Sequence, residues 1–196
     1  SERDQDVVLA MILTEARHLT DSDAGSLYLV EEEEGGTRTL HFLRSQNDSL
    51  PDLPRPEYSL AFDDTSLAGF VAFHGQHLVI EDAYDIPDSE PYSFNRSYDE
   101  KQGYRARSML IVPMKDHRDT VVGVLQLINK KSDPGAVIRD ELSSDRHVVG
   151  YELRDVELVQ SLAGQAAVSI ENVRLYEEIE NLFEGFIKAS VIAIDQ

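Results

Sequence analysis

The sequence predicts an α+β domain built on an antiparallel sheet, and three features of the chain carry that reading. Strand-like segments come in adjacent pairs joined by short polar turns, single short helical segments interrupt the strands, and helical patterns occupy both ends. Local connections favour antiparallel ladders, and terminal helices can bury their apolar stripes on one sheet face.

Taken in order, residues 6–20 place Val8, Met11, Ile12 and Leu19 at helical spacing and stop at Asp21-Ser22-Asp23, which predicts an amphipathic helix after a linker at 1–5. Residues 25–30 alternate as a strand, and Glu34-Gly35-Gly36 turns the chain into a second strand at 39–43. Pro51, Pro54 and Pro56 mark a loop, because proline neither donates to a ladder nor continues a helix. A short strand at 58–62 precedes a helix that Thr65 or Ser66 caps. That helix runs through Leu67, Phe70, Val71 and Phe73, and Gly75 ends it. His77 to Ile80 then resumes strand.

The stretch 94–130 divides in two. Asn95 to Arg107 is polar and studded with aromatics, holds a short helix ended by Gly103, and reads as a surface excursion where a ligand would be sought. Ser108 to Met114 and Thr120 to Ile128 are near-continuous apolar runs joined by the polar turn 115–119, the pattern of a central hairpin. Residues 132–152 carry Asp133-Pro134-Gly135 and scattered charge without a sustained period, which predicts irregular structure.

From Leu153 the pattern is helical, with Val159, Leu162, Ala163, Ala166, Ile170 and Val173 on one face and no proline up to residue 196. Beyond Asn172 the apolar seam becomes Leu175, Ile179, Leu182, Phe186, Ala189 and Ala193, alternating steps of four and three. That is heptad spacing, and it predicts a homodimer paired through the 175–193 helix; the competing reading is a plain C-terminal core helix.

Composition removes whole classes of function. With 18 basic against 37 acidic residues, the net charge of -19 repels nucleic acid and anionic membrane surfaces. No cysteine is present, so disulfides, thiolate metal sites and cysteine nucleophiles drop out. The chain shows neither an apolar run of about 18 residues nor a signal segment, and a cytoplasmic location without direct membrane contact is expected. His18, His41, His74, His77, His117 and His147 form no metal-binding pair on one element, and no nucleophile elbow or phosphate-binding glycine loop occurs. The sequence thus offers no catalytic set and no metal site.

Several motifs in order make the chain resemble a GAF domain over residues 6–174, with 175–196 as a signalling helix. They are Ser26-Leu27-Tyr28-Leu29, Leu67-Ala68-Gly69-Phe70-Val71, Phe94-Asn95-Arg96 with Asp99, Gly103 to Leu110 with Val112-Pro113, Gly123 to Lys130, and Gln165 to Asn172. The resemblance implies a central antiparallel sheet of about six strands. The N- and C-terminal helices would pack on one face, with a ligand pocket and short helices on the other. The subgroup resembled is that of cyclic-nucleotide phosphodiesterases and adenylyl cyclases, whose signature is Asn-Lys, then Phe, then Asp-Glu. Here Asn129-Lys130 is intact, Tyr151 stands for the Phe, Asp155 fits the Asp and Val156 replaces the Glu. A structural ion pair between Lys130 and Asp155 is implied. Sulfoxide reductases share this fold but depend on cysteines absent here.

The resemblance also implies a ligand, cyclic AMP or cyclic GMP, and places residues around it. Ser26, Ser45 and Gln46 fall near the base, and Ala68 begins the helix whose amides meet the phosphate. Asn95, Asp99 and Gln102 lie in the lid-like excursion. Ala106 sits where nucleotide binders often carry Thr, and Gln126 replaces an acidic residue. A helix N-terminus offers free amides to an anion, and Ser, Asn and Gln can read a purine edge. Asp63 and Asp64 oppose that anion unless they point away. Local structural roles compete: Ser26 fits a tight strand start, Asn95 caps the short helix, and Asp99 pairs with Arg105 or Arg107. The last residues, Phe186 to Gln196, resemble the helix leading into HD-GYP phosphohydrolase domains of bacteria, which implies a covalently attached output phosphodiesterase. The expected function is therefore regulatory sensing of a small molecule. The alternative is a ligand-free dimerisation and transmission module whose pocket is filled by Tyr92, Phe94 or Tyr104.

Overall fold

A computed structural model describes residues 2–53 and 57–195; Ser1, Pro54, Pro56 and Gln196, which figure in the expected linker, loop and final helix, lie outside the described residues. The elements are α1 (Glu2–Thr20), β1 (Ser22–Glu32), β2 (Arg38–Asn47), β3 (Ser59–Ala61), α2 (Leu67–His74), β4 (Leu78–Ile80), α3 (Ser97–Gln102), β5 (Met109–Lys115), β6 (Val121–Lys131), α4 (Glu141–His147), β7 (Val148–Val149) and α5 (Leu153–Ile194). The sheet order is β3-β2-β1-β6-β5-β4, every ladder is antiparallel, and β7 adds two residues beside the end of β6. The expected α+β class and the central position of the β5–β6 hairpin both hold.

Period-two alternation sorts the strand residues onto two faces. Leu27, Leu110, Leu125 and Leu127 join Leu9 and Leu13 of α1 and Val159, Ala163 and Ile170 of α5 in one apolar layer. Met109, Ile111, Val124, Tyr28 and Phe42 pack on the opposite face with Val71 of α2. The helix α1 corrects the sequence reading in part: its buried apolar residues are Leu9, Leu13 and Ala16 with the expected Ile12, while Val8, Met11 and Leu19 are exposed. Two apolar stripes run along that helix, and contact with the sheet, which sequence spacing does not reveal, decides which is covered. It also begins at Glu2, ahead of the expected start.

The segment after β6 is more regular than expected. Asp140 caps α4 through a capping box with Ser143, each side chain accepting from the other's backbone amide, and Ile138 is fully buried just before it. At the start of α5, Asp155 accepts a hydrogen bond from Glu152 N and a 2.5 Å contact from Lys130 Nζ. The end of β6 is thereby fastened to the long helix. From Leu175 onward α5 leaves the sheet, and its apolar residues there are exposed. Among the described residues no helix is long and apolar enough to cross a membrane.

Candidate functional site

A cavity of about 490 Å³ opens on the sheet face that α1 and α5 do not cover. Strand register builds its floor: Ser45 of β2 lies opposite Ser26 of β1, which lies opposite Gln126 of β6. Three polar residues therefore stand side by side across the middle of an otherwise apolar sheet. Neither Ser26 nor Gln126 makes a side-chain hydrogen bond among the described residues, although both are buried. The walls are Phe42, Tyr58, Phe94, Tyr98 and Tyr104, with Tyr28 behind them donating or accepting a 2.9 Å bond with the Tyr58 hydroxyl. An apolar hollow with a few convergent polar groups is the usual form of a small-molecule site. A wider cleft of about 760 Å³ where α5 leaves the sheet is instead rimmed by Glu31, Glu32, Glu33, Asp116 and Glu177.

One end of the cavity is the first turn of α2. Ser66 caps it, its hydroxyl accepting from Gly69 N, and Leu67 and Ala68 line the cavity with the first turn's remaining amides. A Cβ on Gly69 would stand 2.4 Å from the Asp63 carbonyl, so only glycine lets the loop fold against this turn. Asp63 is turned into that loop, where its carboxylate accepts from Thr65 N and Thr65 Oγ1. These bonds hold its carboxyl below the usual range.

The excursion over the other end is largely a surface segment, as its polarity predicts, but it buries Asp99, Tyr104, Arg105 and Ala106. Asp99 Oδ2 accepts from the Tyr84 hydroxyl at 2.7 Å and from Ala106 N at 2.8 Å. Burial pushes its carboxyl up, against the effect of those bonds. Arg105 does not pair with Asp99; it forks onto Asp82, bonds Glu141 of α4, and stacks 3.8 Å from the centroid of the Tyr84 ring. Arg96 stacks on the same ring at 4.3 Å. Asn129, at a positive φ of 60°, accepts from Arg107 N and donates to Arg105 O and the Tyr104 hydroxyl, so the Asn-Lys motif fixes the end of the lid. Tyr104 donates in turn to Asp23, which is fully buried and paired with Lys131 at 2.8 Å. Burial and the nearby Asp23 carboxylate push the Tyr104 hydroxyl up.

Of the nine expected ligand positions, Ser26, Ser45, Gln46, Ala68, Asn95, Asp99, Ala106 and Gln126 line this cavity. Gln102 does not; it sits at the end of α3, half-buried and away from the lining. Gln46 lines the cavity, but its amide is taken by α1: Arg17 donates to Oε1, and Nε2 donates to Thr14 Oγ1 and Ala10 O. The Asn95 side chain accepts from Ser97 N in a local turn, and it is not the expected cap of the short helix, whose N-cap is Arg96. Sequence reading placed Phe94 and Tyr104 at the pocket but missed Phe42, Tyr58 and Tyr98 in its walls and the Tyr84–Asp99 bond. The closely spaced aromatics Tyr92, Phe94, Tyr98 and Tyr104 were the available signal. Among the described residues no three His, Asp or Glu are grouped to hold a metal ion.

Comparison with known proteins agrees with this architecture. The GAF domain family profile matches residues 4–170. A cGMP-specific 3',5'-cyclic phosphodiesterase of Drosophila erecta is 28% identical over 187 residues, covering 90% of this chain and 15% of the relative. The probable 3',5'-cyclic phosphodiesterase pde-5 of Caenorhabditis elegans is 26% identical over 89% of this chain and 21% of its own length. The chain thus spans a small part of the curated relatives it matches. Among solved structures, the GAF domain/HD domain protein from Geobacter sulfurreducens superposes with a TM-score of 0.58 at 18% identity, covering 88% of this chain and 95% of that one. The GAF-B domain of DevS from Mycobacterium smegmatis gives 0.57 at 14% identity, covering 89% and 98%.

Proposed function

Because this chain belongs to the GAF domain family, we propose that it is a regulatory module that binds a small organic molecule in the cavity and signals through α5 to an attached output domain. The observation that carries the reading is the cavity itself: three aligned polar residues on its floor, aromatic walls, and a lid whose residues also touch the sheet and α4. The lid is tied to β6 through Asn129, and β6 to α5 through Lys130 and Asp155, so a ligand that moves the lid has a continuous route of packed polar contacts to the helix. Such coupling requires a ligand whose affinity differs between two helix arrangements, typically by about 1 to 3 kcal/mol. The exposed seam past Leu175 supports pairing of two copies along α5, and a phosphodiesterase of the HD-GYP type is the output that the C-terminal resemblance supports.

A cyclic nucleotide is the ligand supported by the resemblance and by the free amides at the start of α2. Against it stand Ala106 and Gln126, which depart from the nucleotide-binding pattern. Titration calorimetry and thermal shift with cyclic AMP, cyclic GMP and cyclic dinucleotides test this assignment. Heat and a raised Tm with one of them support it, and silence from all of them removes nucleotides from the reading. The ligand-free alternative gains ground only if a broad small-molecule screen is also silent, since Phe94 and Tyr104 line the hollow without filling it and Tyr92 packs in the apolar cluster outside its lining.

A further inference from the structure

The charges around the cavity have a direction. Among the described residues no Lys, Arg or His lines it, and the one charged residue among them that does is Asp99, which is 2% exposed. Both hydrogen bonds made to that carboxylate go to Oδ2, and Oδ1 accepts none among the described residues. The nearest cation acting on it, Arg105, is already bonded to Asp82 and Glu141. A buried carboxylate left without a cation of its own is costly, and a ligand that brings one relieves that cost. Burial pushes the Asp99 carboxyl up, in keeping with a group short of positive charge. Phe94, Tyr98 and Tyr104 line the cavity as Asp99 does, and aromatic faces attract cations. The start of α2 is the feature that favours an anion, but its cap already occupies Gly69 N, and the chain's net charge of -19 opposes an anion's approach.

We infer that the cavity selects a small organic cation, a protonated amine carried on an apolar or aromatic body, whose ammonium donates to Oδ1 of Asp99. The inference rests on the reading of the cavity as a ligand site and sets a cation in place of the cyclic nucleotide that the resemblance supports. Ser26 and Gln126, unpartnered on the floor, then receive the polar groups at the other end of such a molecule.

Three matched probes test it by calorimetry and ligand-observed NMR on the 196-residue chain at pH 7: phenethylamine as the ammonium, 2-phenylethanol as its uncharged counterpart, and 3-phenylpropionate as the anion. The expected order of affinity is ammonium, alcohol, carboxylate, with at least about tenfold between the first and last. Asp99→Asn should weaken phenethylamine binding by roughly 30-fold and change 2-phenylethanol by less than about threefold. Tyr84→Phe removes a lid bond to Asp99 without removing the charge, and should keep the preference for the ammonium; this separates loss of charge from loss of lid structure. Tighter binding of 3-phenylpropionate, cyclic AMP or cyclic GMP than of phenethylamine overturns the charge assignment and leaves the cavity a ligand site. An ammonium preference undiminished in Asp99→Asn overturns the role of that residue. If no probe of any charge binds, the inference falls, while the ligand-site reading falls only if the broad small-molecule screen is silent as well.

Discussion

On β6 the side chains of Leu125 and Leu127 go to the face covered by α1 and α5, and those of Gln126 and Ile128 go to the face that holds the cavity. The same strands thus carry two unlike interiors. The helix-covered face is closed chiefly by leucines and valines from five elements and by alanines of α1 and α5, with Gln46 bonding α1 and Lys130 pairing with Asp155 as its polar ties. The cavity face is held apart by rings and by hydrogen-bonded side chains: Tyr104 to Asp23, Asn129 to Tyr104, Asp99 to Tyr84 and Ala106. Apolar packing collapses whatever space it can, so a hollow persists only where directional bonds prop the walls. A sensor needs both interiors, one to keep the sheet rigid and one to admit a ligand.

The comparison breaks most visibly at the props. Lys131 and Asp23 are the most deeply buried ion pair among those described, with side chains 3% and 0% exposed. Lys131→Met leaves Asp23 charged and unpaired beneath Tyr104 and should cost about 3 to 5 kcal/mol in urea unfolding. Removing Lys115, whose partner Asp119 is 83% exposed, should change stability by less than about 1 kcal/mol. Equal costs for the two would show that the cavity face does not depend on its buried polar network.

The next effect contrasts neighbours on one strand. Leu125→Ala empties a fully buried site in the apolar layer and should cost about 2 to 5 kcal/mol. Gln126→Ala, one residue on, removes a side chain that bonds nothing in the protein and faces existing space, and should cost under about 1 kcal/mol. Denaturant midpoints of the two variants decide it. A large loss from Gln126→Ala would mean that this residue holds the sheet together and is not held ready for a ligand.

Much of the apolar interior was legible because it follows local rules. Period-two runs gave the hairpins, and Ser66 with Gly75 bounded α2. Where two apolar stripes competed on α1, the sequence offered no means of choosing, since the choice belongs to the sheet beneath. The propped interior was less legible, because its contacts join distant positions: Lys131 and Asp23 are 108 residues apart, and Arg105 reaches Glu141 across 36. Polarity therefore read as exposure in a segment that buries Asp99 and Arg105. The short helix α4 had a usable signal in Asp140 and Ser143, which its lack of apolar period hid. The cavity residues came together because the resemblance carried positions that strand register then aligned.

The smallest effect on folding is expected at the far end of α5, where the contrast between filled and open surfaces appears within one helix. Val156, Val159, Ala163 and Ile170 are buried against the sheet, whereas Leu182 and Phe186 are 75% and 70% exposed. Apolar residues with heptad spacing on an exposed helix gain burial only from a partner helix. Replacing Leu182 and Phe186 with Asp removes no contact within the chain, so the unfolding free energy of the isolated subunit should move by no more than about 0.5 kcal/mol per site. If two copies pair along 175–193, the same double variant should halve the mass measured by sedimentation or light scattering at concentrations where the parent chain is dimeric. A parent chain that is monomeric at high concentration would instead assign the seam to a segment outside the described residues, and the open half of α5 would then be a docking surface for that segment.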